Sequence, residues 1–122
     1  MKLEKEIMKQ IKHRLEVWRL TGYVINFHRL NAGTVRNSNT GSWVKLGDKD
    51  NPDWIVIVRN REDGISILYI EAKSDKGRIR TGQTEFINKY GTKEGVFVMV
   101  LRDIKDLDKW IDKNAKDYVS LI

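Results

Sequence analysis

Two short apolar runs constrain the fold of this chain more than any other feature of its sequence. The runs are Trp54–Val58 and Gly95–Leu101, and each is bounded by charged residues. A continuous apolar run of about four to eight residues is typical of a strand covered on both faces, whereas a buried helix needs a longer segment. Residues 65–73 form a third, largely apolar run between them. The chain is therefore predicted to fold around a sheet with covering layers.

The segments before these strands predict a helix, a strand and a polar connection. Residues 3–20 predict an amphipathic helix, because apolar residues recur at intervals of three and four: Ile7, Ile11, Leu15 and Trp18. Gly22 is predicted to end this helix. Tyr23–Leu30 predicts a strand. The polar segment 31–42 is predicted to be a mobile loop or a loose hairpin that closes on Trp43–Leu46.

Two further helices are predicted after the central strands begin. Residues 81–90 form one, with Thr81 as its N-cap, and Asp103 caps another that runs to about Lys113. The strand, helix and strand of residues 65–101 predict a parallel crossover. The alternation of helices and strands over residues 1–122 predicts a single α/β domain, in which a mixed central sheet is flanked by helices.

The composition favours a basic protein with an anionic partner. Lys and Arg total 23 against 17 Asp and Glu, which gives a net charge of +6. Such a charge attracts polyanions such as nucleic acids, although it also serves solubility alone. The absence of cysteine excludes disulfides and cysteine-based zinc sites. No apolar run approaches the ~18 residues that a membrane span needs, so we expect a soluble, cytoplasmic protein with no membrane partner.

A carboxylate and an ammonium group end the strand predicted for residues 65–73. Side chains alternate between the two faces of a strand, so Glu71 and Lys73 project to the same side. Such a pair suits hydrolysis with a divalent cation, because the carboxylate can hold the ion and the lysine can stabilise negative charge. Glu-x-Lys is by itself also typical of a surface ion pair worth about 0–1 kcal/mol, so the motif alone leaves both interpretations open.

A second carboxylate is predicted to meet this pair. Asp53 follows the only proline of the chain, Pro52, directly before the first apolar run. If that run pairs antiparallel with the next strand through the intervening turn, Asp53 lies opposite Glu71. Pro-Asp alone is typical of a turn. The matching register distinguishes this pair from Asp103-Ile104-Lys105, where the aspartate is better explained as a helix cap.

The connection between the second and third central strands is basic. Its sequence is Gly77-Arg78-Ile79-Arg80-Thr81-Gly82-Gln83. Arg78 and Arg80 suit contacts with phosphate groups. Gln83 falls in the first turn of the predicted helix, beside free backbone N–H groups, where it can orient a water molecule or a phosphate. An ordinary solvated loop followed by a helix cap has the same composition.

Taken in order, these elements resemble the PD-(D/E)XK nuclease superfamily. Within it, the chain is similar to the VRR-NUC family, including its small stand-alone members from phages and bacteria. The matching elements are Pro52-Asp53, Glu71-Ala72-Lys73, Gly77-Arg78 and Gln83, preceded by Arg29-Leu30-Asn31-Ala32-Gly33. The resemblance spans roughly residues 4–105. It departs from the family at Asp50, where a glycine is usual, and this leaves the local turn and the number of metal ions open.

The resemblance implies a restriction-endonuclease-like fold and a Mg²⁺- or Mn²⁺-dependent phosphodiesterase. Asp53, Glu71 and the Ala72 carbonyl would bind the metal, Lys73 would position or activate the attacking water, and Gln83 would support the site. Small members of the family are associated with branched DNA, including Holliday junctions, and are usually homodimers. The two-fold symmetry of a junction, which calls for two cutting sites, agrees with a dimer.

The resemblance also implies residues outside the central cluster. A glutamate of the first helix, Glu4 or Glu6, is expected near the metal, and Glu6 is favoured because it shares a helix face with Gln10. Both glutamates are equally well explained as solvated helix charges. The residues expected to contact DNA are Arg29, Asn31, Arg78 and Arg80.

Three function hypotheses follow from the sequence. The first is a structure-selective DNA endonuclease. The second is a non-catalytic nucleic-acid-binding module that keeps a nuclease-like fold, and two carboxylates facing a phosphate backbone argue against it. The third is a nuclease of the same fold that cuts ordinary duplex DNA. A chain this short has no evident additional domain for reading bases, which favours recognition of backbone or shape.

Overall fold

The computed structural model describes residues 3–30, 34–45 and 51–117, with only the backbone of residues 34–36 and 43–45. Within these ranges the chain forms three helices and six strands. In chain order they are α1 (Glu4–Leu20), β1 (Asn26–Arg29), β2 (Thr34–Arg36), β3 (Trp43–Lys45), β4 (Trp54–Arg59), β5 (Ile65–Ala72), α2 (Thr81–Tyr90), β6 (Val96–Leu101) and α3 (Ile104–Asn114). The three predicted helices and the three central strands are confirmed, while β1 is shorter than predicted. No described helix is both long and apolar enough to span a membrane.

Four of the described strands form one mixed sheet in the order β1-β4-β5-β6. β4 pairs antiparallel with β1 and β5, whereas β5 pairs parallel with β6. α2 connects the two parallel strands, so the predicted strand–helix–strand crossover is confirmed. β2 and β3 pair antiparallel in a separate two-stranded sheet. Of the two predictions for residues 31–42, the loose hairpin is therefore confirmed in its described part.

The hydrophobic core lies between one face of the sheet and the helices α1 and α3. Apolar side chains from both helices and from the two central strands of the sheet are fully buried there, among them Ile7, Ile11, Leu15, Val56, Val58, Leu68, Ile70, Leu107 and Ile111. α2 lies on the opposite face, where Tyr69 of β5 contacts Phe86 edge-to-face with 5.1 Å between ring centroids. Helices therefore flank both faces of the mixed sheet, as the sequence predicts.

The strands are less completely covered than their apolar sequences predict. In β4 every second residue is buried, whereas Ile55 and Ile57 between them are half-buried. In β6 only Leu101 is buried, and Phe97 keeps 37% of its surface exposed. The prediction of strands covered on both faces is thus wrong for β4 and β6. The face of Ile55 and Ile57 is the one on which α2 packs, beside β5 and β6. Phe97 lies on the other face, against Trp110 of α3, and stays partly exposed because β6 is at the edge of the sheet.

The residues predicted to end or cap the helices are confirmed except at the start of α2. Gly22 follows α1 with a φ of 91°, a left-handed conformation that favours glycine. The side chain of Asp103 accepts a hydrogen bond from a backbone N–H of the first turn of α3. Thr81 is not the N-cap of α2, because Arg80 holds that position and Thr81 is the first helical residue. The Gln83 side chain, and not a threonine hydroxyl, satisfies this helix start.

Candidate active site

The start of β4 and the end of β5 meet in the register predicted from the sequence. Trp54 pairs with Ile70, so the next position outward brings Asp53 beside Glu71. The backbone N–H of Asp53 donates to the Ile70 carbonyl at 2.9 Å, and its Oδ2 accepts from the Ala72 backbone N–H at 2.8 Å. The carboxylate of Asp53 thus continues the hydrogen bonding between the two strands beyond the first residue of β4.

Glu71 and Lys73 are buried together where β5 ends. They keep only 7% and 6% of their surface exposed, and Lys73 Nζ lies 3.7 Å from Glu71 Oε1. Lysine and glutamate are almost never buried this completely unless they are paired. Their burial excludes the surface ion pair that the sequence left open as an alternative.

Gln83 connects α2 to this cluster. Its side chain keeps 3% of its surface exposed, and its Nε2 donates to Glu71 Oε1 at 2.6 Å. Its Oε1 accepts from the backbone N–H of Arg80 at 2.9 Å, which caps the first turn of the helix. Gln83 therefore fixes one oxygen of Glu71 relative to α2, in agreement with its predicted place in the first helical turn.

The other oxygen of Glu71 is buried without a hydrogen-bond partner. Among the described residues, Glu71 Oε2 is the one buried side-chain polar atom in this state. Burial, and after it repulsion from Asp53, raises the pKa of Glu71 from its ordinary value of 4.5 to about 7. Burial also raises the pKa of Asp53, and Glu4 adds to the rise. A buried carboxylate oxygen without a donor is unfavourable. Glu71 Oε2 therefore lacks a positively charged or hydrogen-bonding partner.

The donor atoms of the cluster fit a hard divalent cation. Asp53 and Glu71 supply two carboxylates, one with a buried oxygen that has no partner. The Ala72 carbonyl lies on the edge of β5 that faces β4, because the N–H and C=O of an extended residue point to the same side. The described residues contain no group of three or more His, Cys, Asp or Glu side chains that could hold a metal. A Mg²⁺ ion at this cluster would therefore be held by the pair of carboxylates, with water molecules as further ligands, which is a common arrangement for this ion.

Glu4, and not Glu6, is the glutamate of α1 that acts on this cluster. The negative charge of Glu4 contributes to the raised pKa values of both Asp53 and Glu71. Glu6 is exposed, and its Oε2 accepts from the backbone N–H of Leu3 at 3.1 Å. Glu6 thus caps its own helix start, as a glutamate at the third position of a helix commonly does, and its place near a metal stays a prediction.

The arginines predicted to contact DNA lie on two sides of the carboxylates. Arg29 ends β1, and its positive charge acts on Asp53. Arg80 precedes α2, and its positive charge acts on Glu71. Arg78 is exposed in the same connection. Asn31 lies outside the described residues. The same is true of Asp50, where the sequence departs from the family pattern.

Gly77, which belongs to the motif seen in the sequence, and Arg102, which the sequence did not connect with the cluster, hold the segment after Lys73. Gly77 packs closely here, since a Cβ at this position would lie 3.1 Å from Ser74 Oγ and 3.4 Å from Lys73 Cδ. Arg102 Nη1 donates to the Ser74 carbonyl at 2.5 Å. The glycine has a local signal, because glycine permits close approach. The arginine has none, because its partner is 28 residues away.

Comparisons with known proteins were made at three levels. No protein-family model, no curated protein and no solved structure matches the chain. The similarity to the VRR-NUC family therefore depends on the motif residues and on the cluster that they form. It remains a hypothesis, and the activity that it implies is argued from the site alone.

Proposed function

We propose that this protein is a metal-dependent, structure-selective DNA endonuclease with a PD-(D/E)XK fold of the VRR-NUC type. One observation carries the proposal: Asp53, Glu71 and Lys73 meet at the end of one hairpin, and one buried oxygen of Glu71 has no partner. A cluster that served only stability would pair or expose these charges, because an unpaired buried charge destabilises a fold. A divalent cation would supply the missing positive charge.

Each residue of the cluster has a separate role in phosphodiester hydrolysis. Asp53, Glu71 and the Ala72 carbonyl would hold Mg²⁺ or Mn²⁺, and the ion would lower the pKa of a water molecule and offset charge on the phosphate. Lys73 stabilises negative charge that develops on the attacking oxygen or the phosphate. Gln83 keeps Glu71 in one orientation through its 2.6 Å hydrogen bond, which is a positioning role.

A nucleic-acid substrate is supported by charge. The chain carries a net charge of +6, and arginines lie on two sides of its acidic cluster. Basic side chains beside the acidic cluster suit contacts with the DNA backbone, so the proposal assigns recognition to backbone and shape. Branched DNA such as a Holliday junction is the proposed substrate. A cytoplasmic homodimer belongs to the same proposal, because a junction with two-fold symmetry needs two cuts.

Two alternative functions make different predictions. A non-catalytic nucleic-acid-binding module gains nothing from a buried Glu71 and a half-buried Asp53 that repel phosphate groups, so this pair of carboxylates argues against it. A nuclease that cuts ordinary duplex DNA would use the same cluster with a different substrate. The choice between the nucleases therefore depends on which DNA is cut, and not on the residues of the site.

The proposal is tested by comparing Glu71→Gln with Glu62→Gln, a matched substitution at an exposed position in the β4–β5 turn. Cleavage of labelled junction, flap, single-stranded and duplex DNA is measured in Mg²⁺, in Mn²⁺ and in EDTA. We expect wild type and Glu62→Gln to cut branched DNA only with metal. Glu71→Gln should be slower by about a hundredfold or more and should still bind DNA in EDTA.

Three outcomes would count against parts of this proposal. Equal cleavage by wild type and Glu71→Gln would remove Glu71 from the site. Preferential cutting of plain duplex would favour the third function hypothesis over junction resolution. Light scattering over a range of concentrations, with and without junction DNA, should give a dimer, and a monomer throughout would contradict the paired-cut model while leaving the chemistry in place.

A further inference from the structure

A groove runs along α1 from the carboxylate cluster. Its volume is about 530 Å³, and its lining includes Glu4 at one end and Arg29 on the opposite wall. Glu4 acts electrostatically on both Asp53 and Glu71, and Arg29 acts on Asp53. Trp54 of the lining directly follows Asp53 in the chain, so the groove adjoins the candidate active site.

The α1 wall of this groove carries three lysines, Lys5, Lys9 and Lys12. They are spaced by four and three residues, so they project from one face of the helix, and together they span about 10 Å along its axis. All three are exposed. Within the described residues, none of them takes part in an ion pair. In the part of the chain that the structure describes, these three cations thus have no ion-pair partner, and Glu4 is the one carboxylate in the lining of the groove.

The floor of the groove is apolar. Met8 and Trp54 line it between the lysines and Arg29. The indole N–H of Trp54 donates to the sulfur of Met8 at 3.4 Å, so the one polar atom of the indole is already engaged. The aliphatic stems of the lysines extend this apolar surface while their ammonium groups stay at the rim. Such a cross-section fits a ligand with an anionic edge and an apolar face.

We propose that this groove binds an unpaired DNA strand that leaves the candidate active site along α1. Phosphates of the strand would lie along the lysines, and a base or sugar would lie over Met8 and over the exposed edge of Trp54, which keeps 4% of its surface accessible. A duplex keeps its bases stacked inside and presents mainly phosphates, so it makes less use of a concave apolar floor. The inference deepens the proposed nuclease function, because an unpaired strand beside the cut distinguishes a flap or an open junction from plain duplex.

The test compares two triple substitutions that remove the same charge. One changes Lys5, Lys9 and Lys12 to glutamine, and the control changes Lys93, Lys109 and Lys113, which are exposed in the turn after α2 and on α3. Both are made in the Glu71→Gln background and assayed in EDTA, so that binding is read without cleavage. Fluorescence anisotropy over a salt series is recorded with a labelled single strand, the matching duplex and a flap that carries the same single strand.

We expect the groove variant to bind the single strand and the flap about tenfold or more weakly than the control does. Its slope of log affinity against log salt should fall by about 2 on the single strand, since each lost phosphate contact accounts for about 0.7 there. The duplex should show a smaller loss. The control variant should show nearly the same salt slopes as the Glu71→Gln background, apart from the small change that its lower net charge causes.

Two results would overturn the proposal. The first is an equal loss of binding affinity in the two variants. The second is a salt slope that changes by about 3 on duplex and not at all on single strands, which would assign the groove to a duplex backbone. Circular dichroism melts check that both variants fold, and Lys9→Glu provides a milder variant with the same expected direction. Because the readout is binding, a wild type that cuts nothing would contradict the nuclease and leave the result for the groove standing.

Discussion

The two ends of the β4–β5 hairpin carry similar polar residues in opposite electrostatic situations. At the turn end, Asp63 accepts from Lys116 Nζ at 2.7 Å and from Arg59 Nη2 at 3.1 Å. The hydrogen bond from Lys116, followed by its charge, lowers the pKa of Asp63. The side-chain oxygen of Asn60 accepts two backbone N–H groups of the turn, at 3.0 Å and 2.9 Å. The side chains of Asp63 and Asn60 thus both accept hydrogen bonds from donors at this end.

At the open end, one buried carboxylate oxygen has no donor. Asp53 and Glu71 lie beside one buried lysine, Glu71 keeps an oxygen without a partner, and its pKa is raised to about 7. The same pair of strands thus holds a satisfied network at one end and an unsatisfied one at the other. The turn end thus stabilises the fold, and the proposed function interprets the open end as a site that is less stable without its ligand.

The sharpest way to break this comparison is to remove one lysine from each end. Lys73→Met and Lys116→Met both delete an ammonium group that lies near a carboxylate. We expect Lys73→Met to lower kcat for DNA cleavage by about 10²–10³-fold, because a buried cation at a reacting centre stabilises developing charge. Lys116→Met should leave kcat within about twofold of wild type, since its partner is far from the cluster. Similar rates for both variants would remove the distinction between the ends.

A second prediction concerns stability against pH. The folded pKa of Glu71, about 7, lies above its ordinary value of 4.5, so the folded state holds the proton more tightly between these values. The free energy of unfolding in EDTA should therefore fall as pH rises from about 4.5 to 7, by on the order of 2 kcal/mol. Glu71→Gln should flatten this profile and be more stable than wild type at pH 8. Mg²⁺ should stabilise wild type and not the variant.

Asp63→Asn, the isosteric substitution at the turn end, should change the free energy of unfolding at pH 8 in the opposite direction to Glu71→Gln. The pKa of Asp63 is lowered, so its contribution to stability is present above its unfolded pKa and is lost as pH falls through the folded value. Asp63→Asn should consequently be less stable than wild type at pH 8 and approach it in acid. Urea unfolding at a series of pH values measures the stability of both variants. A change of the same sign relative to wild type in both variants at pH 8 would contradict the difference between the two ends.

The smallest expected effect is at Asn60. Asn60→Ala removes an acceptor for two backbone N–H groups and a donor to Ser66 Oγ at 3.1 Å. The free energy of unfolding should fall by about 1–2 kcal/mol, because these turn bonds are lost while the strands remain. Cleavage by the folded fraction should not change. A loss of cleavage larger than the loss of folded protein would show that the turn end also serves the reaction.

Much of the site was predictable because its register is a local property. The turn between the central strands has a definite length, and side chains alternate along each strand, so the juxtaposition of Asp53 with Glu71 follows from counting residues. The shared face of Glu71 and Lys73 follows in the same way. The Asp103 cap was predictable for a similar reason, since a side-chain cap bonds within its own first turn.

What the sequence did not show depended on how the elements pack. The choice between Glu4 and Glu6 depends on how α1 packs on the sheet, and the Glu6 side chain caps its own helix start. The covering of β4 and β6 was predicted wrongly, because it depends on where α2 and α3 lie on the two faces and on the position of β6 at the sheet edge. The N-cap of α2 depends on Gln83, whose amide also bonds Glu71 from 12 residues away.

The amino-acid sequence by itself determined the order of elements, the hairpin register and the set of charged residues at its open end. Strand period, turn length and helix periodicity act over a few residues, so they can be read without a structure. Only the tertiary structure decided that Glu71 and Lys73 are buried, that Glu4 acts on them and that three lysines of α1 line a groove beside them. Burial and electrostatic coupling arise from residues far apart in the chain, and packing alone brings those together.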